Sequence, residues 1–158
     1  MIYLYIFIYI LSLSFLYEFG NLKFGKKFNQ LLLFVVLVCL SGFRYRVGGD
    51  TYNYILMHDY MPTIKEILGF ENIYSKLQPL WVFISAIAKT ISVDFFVLQI
   101  IHALIVNSVI FYFISKHSNY FFTAILFYFV GYYGYFNFEI LRESLAICVF
   151  LLSIDLFI

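Results

Sequence analysis

Two arginines leave an apolar run and meet a glycine pair in the segment Phe43-Arg44-Tyr45-Arg46-Val47-Gly48-Gly49-Asp50-Thr51-Tyr52-Asn53-Tyr54. A guanidinium is a rigid fork of N–H donors whose spacing matches paired phosphate oxygens. Gly48 and Gly49 let the backbone turn sharply or approach a ligand closely, because no Cβ stands in the way. Asp50 can orient an arginine or accept a proton from a hydroxyl. Together these parts suit a lipid-linked pyrophosphate at a membrane surface. Arg and Tyr also anchor helices among lipid headgroups at span boundaries, and residue type alone leaves both readings open.

Arg142 stands in an apolar stretch, where an ionisable group is costly and marks function by default. Its alternative is an ion pair with Glu139, three residues earlier on the same helical face. His58-Asp59 lacks a second ligand at metal spacing and His102 stands alone in an apolar run, so no metal is expected. Cys39 and Cys148 lie inside apolar runs and read as buried, inert thiols. Tyr132, Tyr133 and Tyr135 read as part of an interfacial aromatic belt. No Gly-x-Ser-x-Gly, His-Glu-x-x-His or Gly-rich loop followed by Lys occurs, and no cofactor is expected.

These residues must be positioned by an unusual chain. Of its 158 residues, 64% are hydrophobic and only 12% charged, with a mean hydropathy of +0.93. A soluble domain carries about 25% charged residues, because its surface faces water. Lipid removes that requirement, so the predicted fold is all-α: a polytopic transmembrane bundle of five or six spans forming one membrane domain over 1–158. The net charge of +1 and the lack of a basic patch argue against nucleic acid as a partner. No basic region precedes the first apolar run and no small-residue cleavage site follows it, so it reads as a retained span rather than a signal peptide.

Stretches near the roughly 20 residues a membrane helix needs are 2–17, 28–43, 79–91, 95–115, 120–138 and 140–158. The third is short. The long polar region 44–78 divides the first pair from the rest. Lys23, Lys26 and Lys27 place the first turn in the cytoplasm, which puts the balanced 44–78 loop outside. If 79–91 does not cross fully, Lys116 and His117 also fall in the cytoplasm, and Arg142 returns to the side of Arg44.

Here the sequence resembles a family. The segment from Arg44 to Tyr54 resembles the Arg-Tyr-x-Val-Gly-x-Asp-x-x-x-Tyr signature of EpsG-type proteins, relatives of the Wzy polymerases of O-antigen, capsule and exopolysaccharide. Gln78-Pro79-Leu80-Trp81 is similar to that family's Glu-Pro-aromatic start of the next span, with Gln78 in place of the acid. Leu141-Arg142-Glu143-Ser144-Leu145-Ala146 resembles its Arg-Gln-x-x-Ala motif, with Glu143 in place of Gln. The resemblance implies a polymerase of the bacterial plasma membrane that moves glycan from a polyprenyl pyrophosphate carrier onto a lipid-linked repeat unit outside the cytoplasm. Its partners would be that lipid-linked oligosaccharide, membrane lipid and other polysaccharide assembly proteins. Carried over by position, Arg44, Asp50 and Arg142 would be catalytic. Arg44, Arg46, Gly48, Gly49, Tyr54 and Arg142 would bind substrate. Family members continue through further spans, so 1–158 is expected to be the N-terminal part of a longer bundle. The rival readings are a transporter or channel subunit for an anionic or lipid-linked substrate, a structural membrane protein whose loop binds a partner, and an inactive truncated membrane protein.

Overall fold

In an apolar surrounding a helix satisfies its own N–H and C=O groups, which makes it the backbone of choice for this composition. The computed structural model describes residues 1–20, 22–68 and 78–157; among them no strand occurs. The stretch 69–77, with Glu71 and Lys76 of the expected external loop, lies outside the described residues, as does Ile158. The helices are α1 (Ile2–Ser14, running on into a π-helical turn at Phe15–Phe19), α2 (Lys26–Gly42), α3 (Thr51–Asp59) and α4 (Ile64–Leu68). They continue as α5 (Pro79–Ile91), α6 (Phe95–His117), α7 (Phe121–Tyr128, extended by π-helical turns at Phe129–Tyr133 and Tyr135–Glu139) and α8 (Leu141–Phe157). Among the described residues two helices, Ile2–Phe19 and Phe95–His117, are long and apolar enough to cross a membrane.

α6 is the centre of the packing, with α2, α5 and α8 against it, while α1 packs chiefly on α7. Phe43 meets Phe96 and Phe34 meets Phe111, so α2 and α6 run antiparallel. One end of the bundle gathers Lys116 and His117, both within 2.8 Å of the Asp155 carboxylate on α8. The start of α2 belongs to this end, because Asn29 donates to Tyr17 Oη (2.9 Å) and Tyr17 stacks on Phe122. The other end gathers Arg44, Glu139 and Arg142.

Both ends of α5 lie at the arginine end. At its start Gln78 Oε1 accepts from Arg142 Nη1 at 3.4 Å. At its far end Lys89 Nζ donates to the carbonyls of His58 and Asp59 (3.2 and 2.7 Å), and Asp94 and Phe95 share a cavity with Arg44. Its 13 residues reach about 20 Å at 1.5 Å each, short of the roughly 30 Å of a hydrocarbon core. α5 therefore lies across the arginine end and Arg142 returns beside Arg44.

Where lipid surrounds helices, close packing and polar contacts hold them together, each such contact contributing on the order of 0.6 kcal/mol. Glu18 supplies several, accepting from the backbone N–H groups of Phe122 (2.5 Å) and Thr123 (3.1 Å) that open α7. Asn107 on α6 and Asn137 on α7 bond each other at 3.3 Å, and Asn137 also donates to Tyr128 Oη and the Tyr133 carbonyl. A side chain competing for a helix carbonyl is one way to disturb the regular ladder, and it does so here within the π-wound part of α7.

Three sequence expectations are corrected. Tyr133 is not in an aromatic belt: it is 1% exposed and donates to the Leu37 carbonyl at 2.5 Å, because π-winding turns it inward. Tyr132 and Tyr135, on the outer face, are exposed. Cys39 is exposed while Cys148 is buried, since α1 packs on α7 and leaves the α2 face uncovered. Arg142 and Glu139 form no ion pair among the described residues, because the Glu139 carboxylate turns to the Gly49 N–H instead (2.9 Å to both oxygens).

Candidate functional site

Arg44 stands two residues past α2, and the helix end carries its side chain into the bundle. It is only 7% exposed, with its guanidinium 4.9 Å over the Phe138 ring. None of its three side-chain nitrogens has a hydrogen-bond partner among the described residues. Burial draws its pKa down from 12.5 to about 10, so the group stays protonated near neutral pH. A buried charge without a protein partner is costly to the fold. The donors of Arg44 are thus left unpaired by the described residues.

The loop after it is held from α7. Gly48 has φ +111°, and a Cβ there would stand 2.3 Å from the Phe138 carbonyl oxygen. Gly49 gives its N–H to Glu139. The freedom of both glycines thus serves close approach to the chain's own α7. Arg46 also sits at positive φ (49°), which turns its exposed side chain back along Tyr45 (5.3 Å). Thr51 Oγ1 ties the loop off by donating to the Val47 carbonyl (2.6 Å). Arg44, Arg46, Thr51, Asp94, Phe95 and Gln99 are among the residues lining a cavity of about 270 Å³. The Gln99 amide nitrogen is a further buried donor without a partner among the described residues.

Arg142 opens α8 on the other flank. Its guanidinium stands 6.0 Å from the Tyr54 ring, which packs on Trp81 (5.4 Å), and its Nε is buried without a described partner. Tyr54 also lies within electrostatic reach of Arg44. The three sequence motifs therefore meet at one end of the bundle: Arg142 joins Gln78, and Tyr54 stands beside Arg142 and Trp81. Asp50 is exposed and accepts only a long bond from Asn53 (3.3 Å), and neither arginine pairs with it among the described residues.

Gln99, Phe138 and the capping role of Glu139 escaped sequence reasoning. A polar residue one turn inside α6, on the face shared by His102, Ala103 and Val106, was the available signal for Gln99. His102 is structural, its Nε2 bonded to the Leu141 carbonyl (3.0 Å) and Ser144 Oγ (2.9 Å). No group of three His, Cys, Asp or Glu side chains able to hold a metal occurs among the described residues.

A family model described as the EpsG family matches residues 27–158, which includes all three motifs and every residue of the cavity. The chain belongs to the EpsG family. No curated protein and no solved structure is significantly similar to it. EpsG membership points to polysaccharide biosynthesis by a polymerase-like protein acting on a lipid-linked saccharide. With the two long apolar helices, it also points to a membrane protein.

Proposed function

We propose that this EpsG-family chain is a surface-polysaccharide polymerase of the bacterial plasma membrane, transferring glycan from a polyprenyl pyrophosphate carrier onto a lipid-linked repeat unit outside the cytoplasm. The buried guanidinium of Arg44, unpartnered among the described residues, carries this reading. In the reaction an acceptor hydroxyl oxygen attacks the anomeric carbon, the bond from that carbon to the pyrophosphate oxygen breaks, and negative charge builds on the departing pyrophosphate. Fixed donors in a water-poor site stabilise such charge without having to reorganise. Arg44 supplies them from the α2 end, Arg46 from the cavity rim, and Arg142 from the α8 flank. Asp50, exposed on the same loop, takes the hydroxyl proton. Gly48 and Gly49 act by setting the loop that carries Arg46, and Tyr54 by flanking Arg142.

In this reading α1, α2, α6, α7 and α8 cross the membrane, α5 lies at the outer surface, and 44–78 is external. The chain forms one membrane domain. A transporter would hold its charges near the bilayer midplane, whereas Arg44 and Arg142 stand at helix ends. The test is Arg44→Lys, which keeps the charge and loses the bidentate fork. In cells it should abolish long glycan chains with membrane insertion unchanged. Normal chain lengths would reduce Arg44 to a headgroup anchor.

A further inference from the structure

Arg44 lines two spaces at once. One is the cavity under α3 and α6 that Arg46, Asp94 and Gln99 also line. The other is an open groove of about 490 Å³ between the first half of α1 and the last half of α2, walled by Ile2, Ile6, Val36, Cys39 and Leu40 among others. All of these side chains are uncharged, and Arg44 closes the arginine end of the groove. From Val36 to Phe43 the groove wall runs about 10 Å at 1.5 Å per residue. A 93%-buried cation at the end of an apolar trough calls for an amphiphile with an anionic head.

We propose that the α1–α2 groove holds the phosphate-proximal part of the carrier's isoprenoid chain. The pyrophosphate then lies at Arg44, and the saccharide extends into the cavity beneath Arg46 and Gln99. The assignment rests on the polymerase reading, which it deepens by giving the lipid its own place. α1 leaves this face of α2 uncovered because Glu18 and Tyr17 fasten α1 to α7 instead. The groove is therefore built by the same contacts that shape the bundle. Arg44 acts as the boundary between tail and sugar: an apolar chain passes on one side of its guanidinium and a hydroxylated ring on the other. An ordinary phospholipid shares the tail and a phosphate, but its singly charged phosphodiester lacks the second phosphate that a buried fork can grip.

The chain carries its own reporter, since Cys39 is exposed in the groove and Cys148 is buried. Alkylation of Cys39 by N-phenylmaleimide would be followed by intact mass in phosphatidylcholine nanodiscs, with farnesyl pyrophosphate, farnesol, phosphatidylglycerol or inorganic pyrophosphate added. At ten times its Kd a ligand leaves roughly a tenth of the protein free, so farnesyl pyrophosphate should slow alkylation about tenfold. Farnesol, phosphatidylglycerol and inorganic pyrophosphate should leave the rate unchanged, and Arg44→Met should abolish the protection. Val36→Trp, which fills the groove and keeps Cys39, should weaken protection by farnesyl pyrophosphate while sparing the rise of the unfolding midpoint with inorganic pyrophosphate. Phe127→Trp, at an exposed position on α7, should spare both. Equal protection by phosphatidylglycerol or farnesol would make the groove a site for ordinary lipid and overturn the proposal. If inorganic pyrophosphate binds through Arg44 but farnesyl pyrophosphate leaves Cys39 reactive, the tail assignment fails and the headgroup reading stands.

Discussion

Replacing Arg44 with methionine separates what this residue does for the fold from what it does for a ligand. Methionine keeps an unbranched apolar stem and removes the charged fork. In the folded chain the guanidinium is 7% exposed and unpartnered among the described residues. The fall of its pKa from 12.5 to about 10 corresponds to roughly 3 kcal/mol set against the folded state. Losing the ring contact with Phe138 gives back about 0.5–2 kcal/mol. The ligand-free variant should therefore be more stable than the natural chain by about 1–3 kcal/mol, a rise of several degrees at roughly 2–4 °C per kcal/mol. Trp81, the one tryptophan of the sequence, is buried against Tyr54 and reports thermal unfolding in detergent by its fluorescence. Inorganic pyrophosphate should raise the midpoint of the natural chain, since it binds only the folded state, and leave that of the variant unmoved. A variant less stable than the natural chain would make the guanidinium structural. A variant whose midpoint still climbs with pyrophosphate would put the anion elsewhere.

Gly48→Ala should cost about 1–3 kcal/mol and lower the unfolding midpoint, because φ +111° is strained for any side chain and the new Cβ would meet the Phe138 carbonyl. Glu139→Gln removes the charge from the Gly49 cap and should cost about 1–2 kcal/mol, read as faster amide exchange at Gly49 with slower exchange of α6 unchanged. Burial, aided by Lys89, holds the His58 pKa below its ordinary 6.5. As the pH falls through 6.5 the unfolded chain takes up the proton first, so stability should decline from pH 7 toward pH 5 and level off below the folded value; His58→Gln should flatten that slope. Asn53→Cys should react with a membrane-impermeant maleimide in intact cells, and labelling only after lysis would invert the proposed orientation.

Period and composition made the helices legible. α2, α5 and α6 begin and end within about two residues of the apolar runs that announced them, an ordinary margin for helix ends, while the shortness of 79–91 left open whether that helix crosses. The meeting of Arg44, Tyr54, Gln78 and Arg142 was legible only through the motifs, since nothing in local spacing brings residues nearly one hundred positions apart together. What escaped was partner choice. Glu139 lies three residues before Arg142, the spacing of a helical pair, yet a break at Ile140 between α7 and α8 redirects it to Gly49. Tyr133 sits among exposed tyrosines, and only the π-winding of α7 distinguishes it from Tyr132. Cys39 lies in an apolar run, and its exposure depends on where α1 goes, which is decided by Glu18.

Glu18 also fixes an order of events. Its acceptors are met by N–H groups 104 and 105 residues later in the chain, so α1 cannot complete its packing while α2 to α6 are being synthesised. Until α7 is inserted, α1 waits at the edge of the growing assembly with its Glu18 carboxylate held only by Ser14 Oγ. Arrival of α7 closes the interval by capping Glu18 at one end and delivering Phe138 and Glu139 to the arginine loop at the other. Biogenesis and site formation are in this way a single late step.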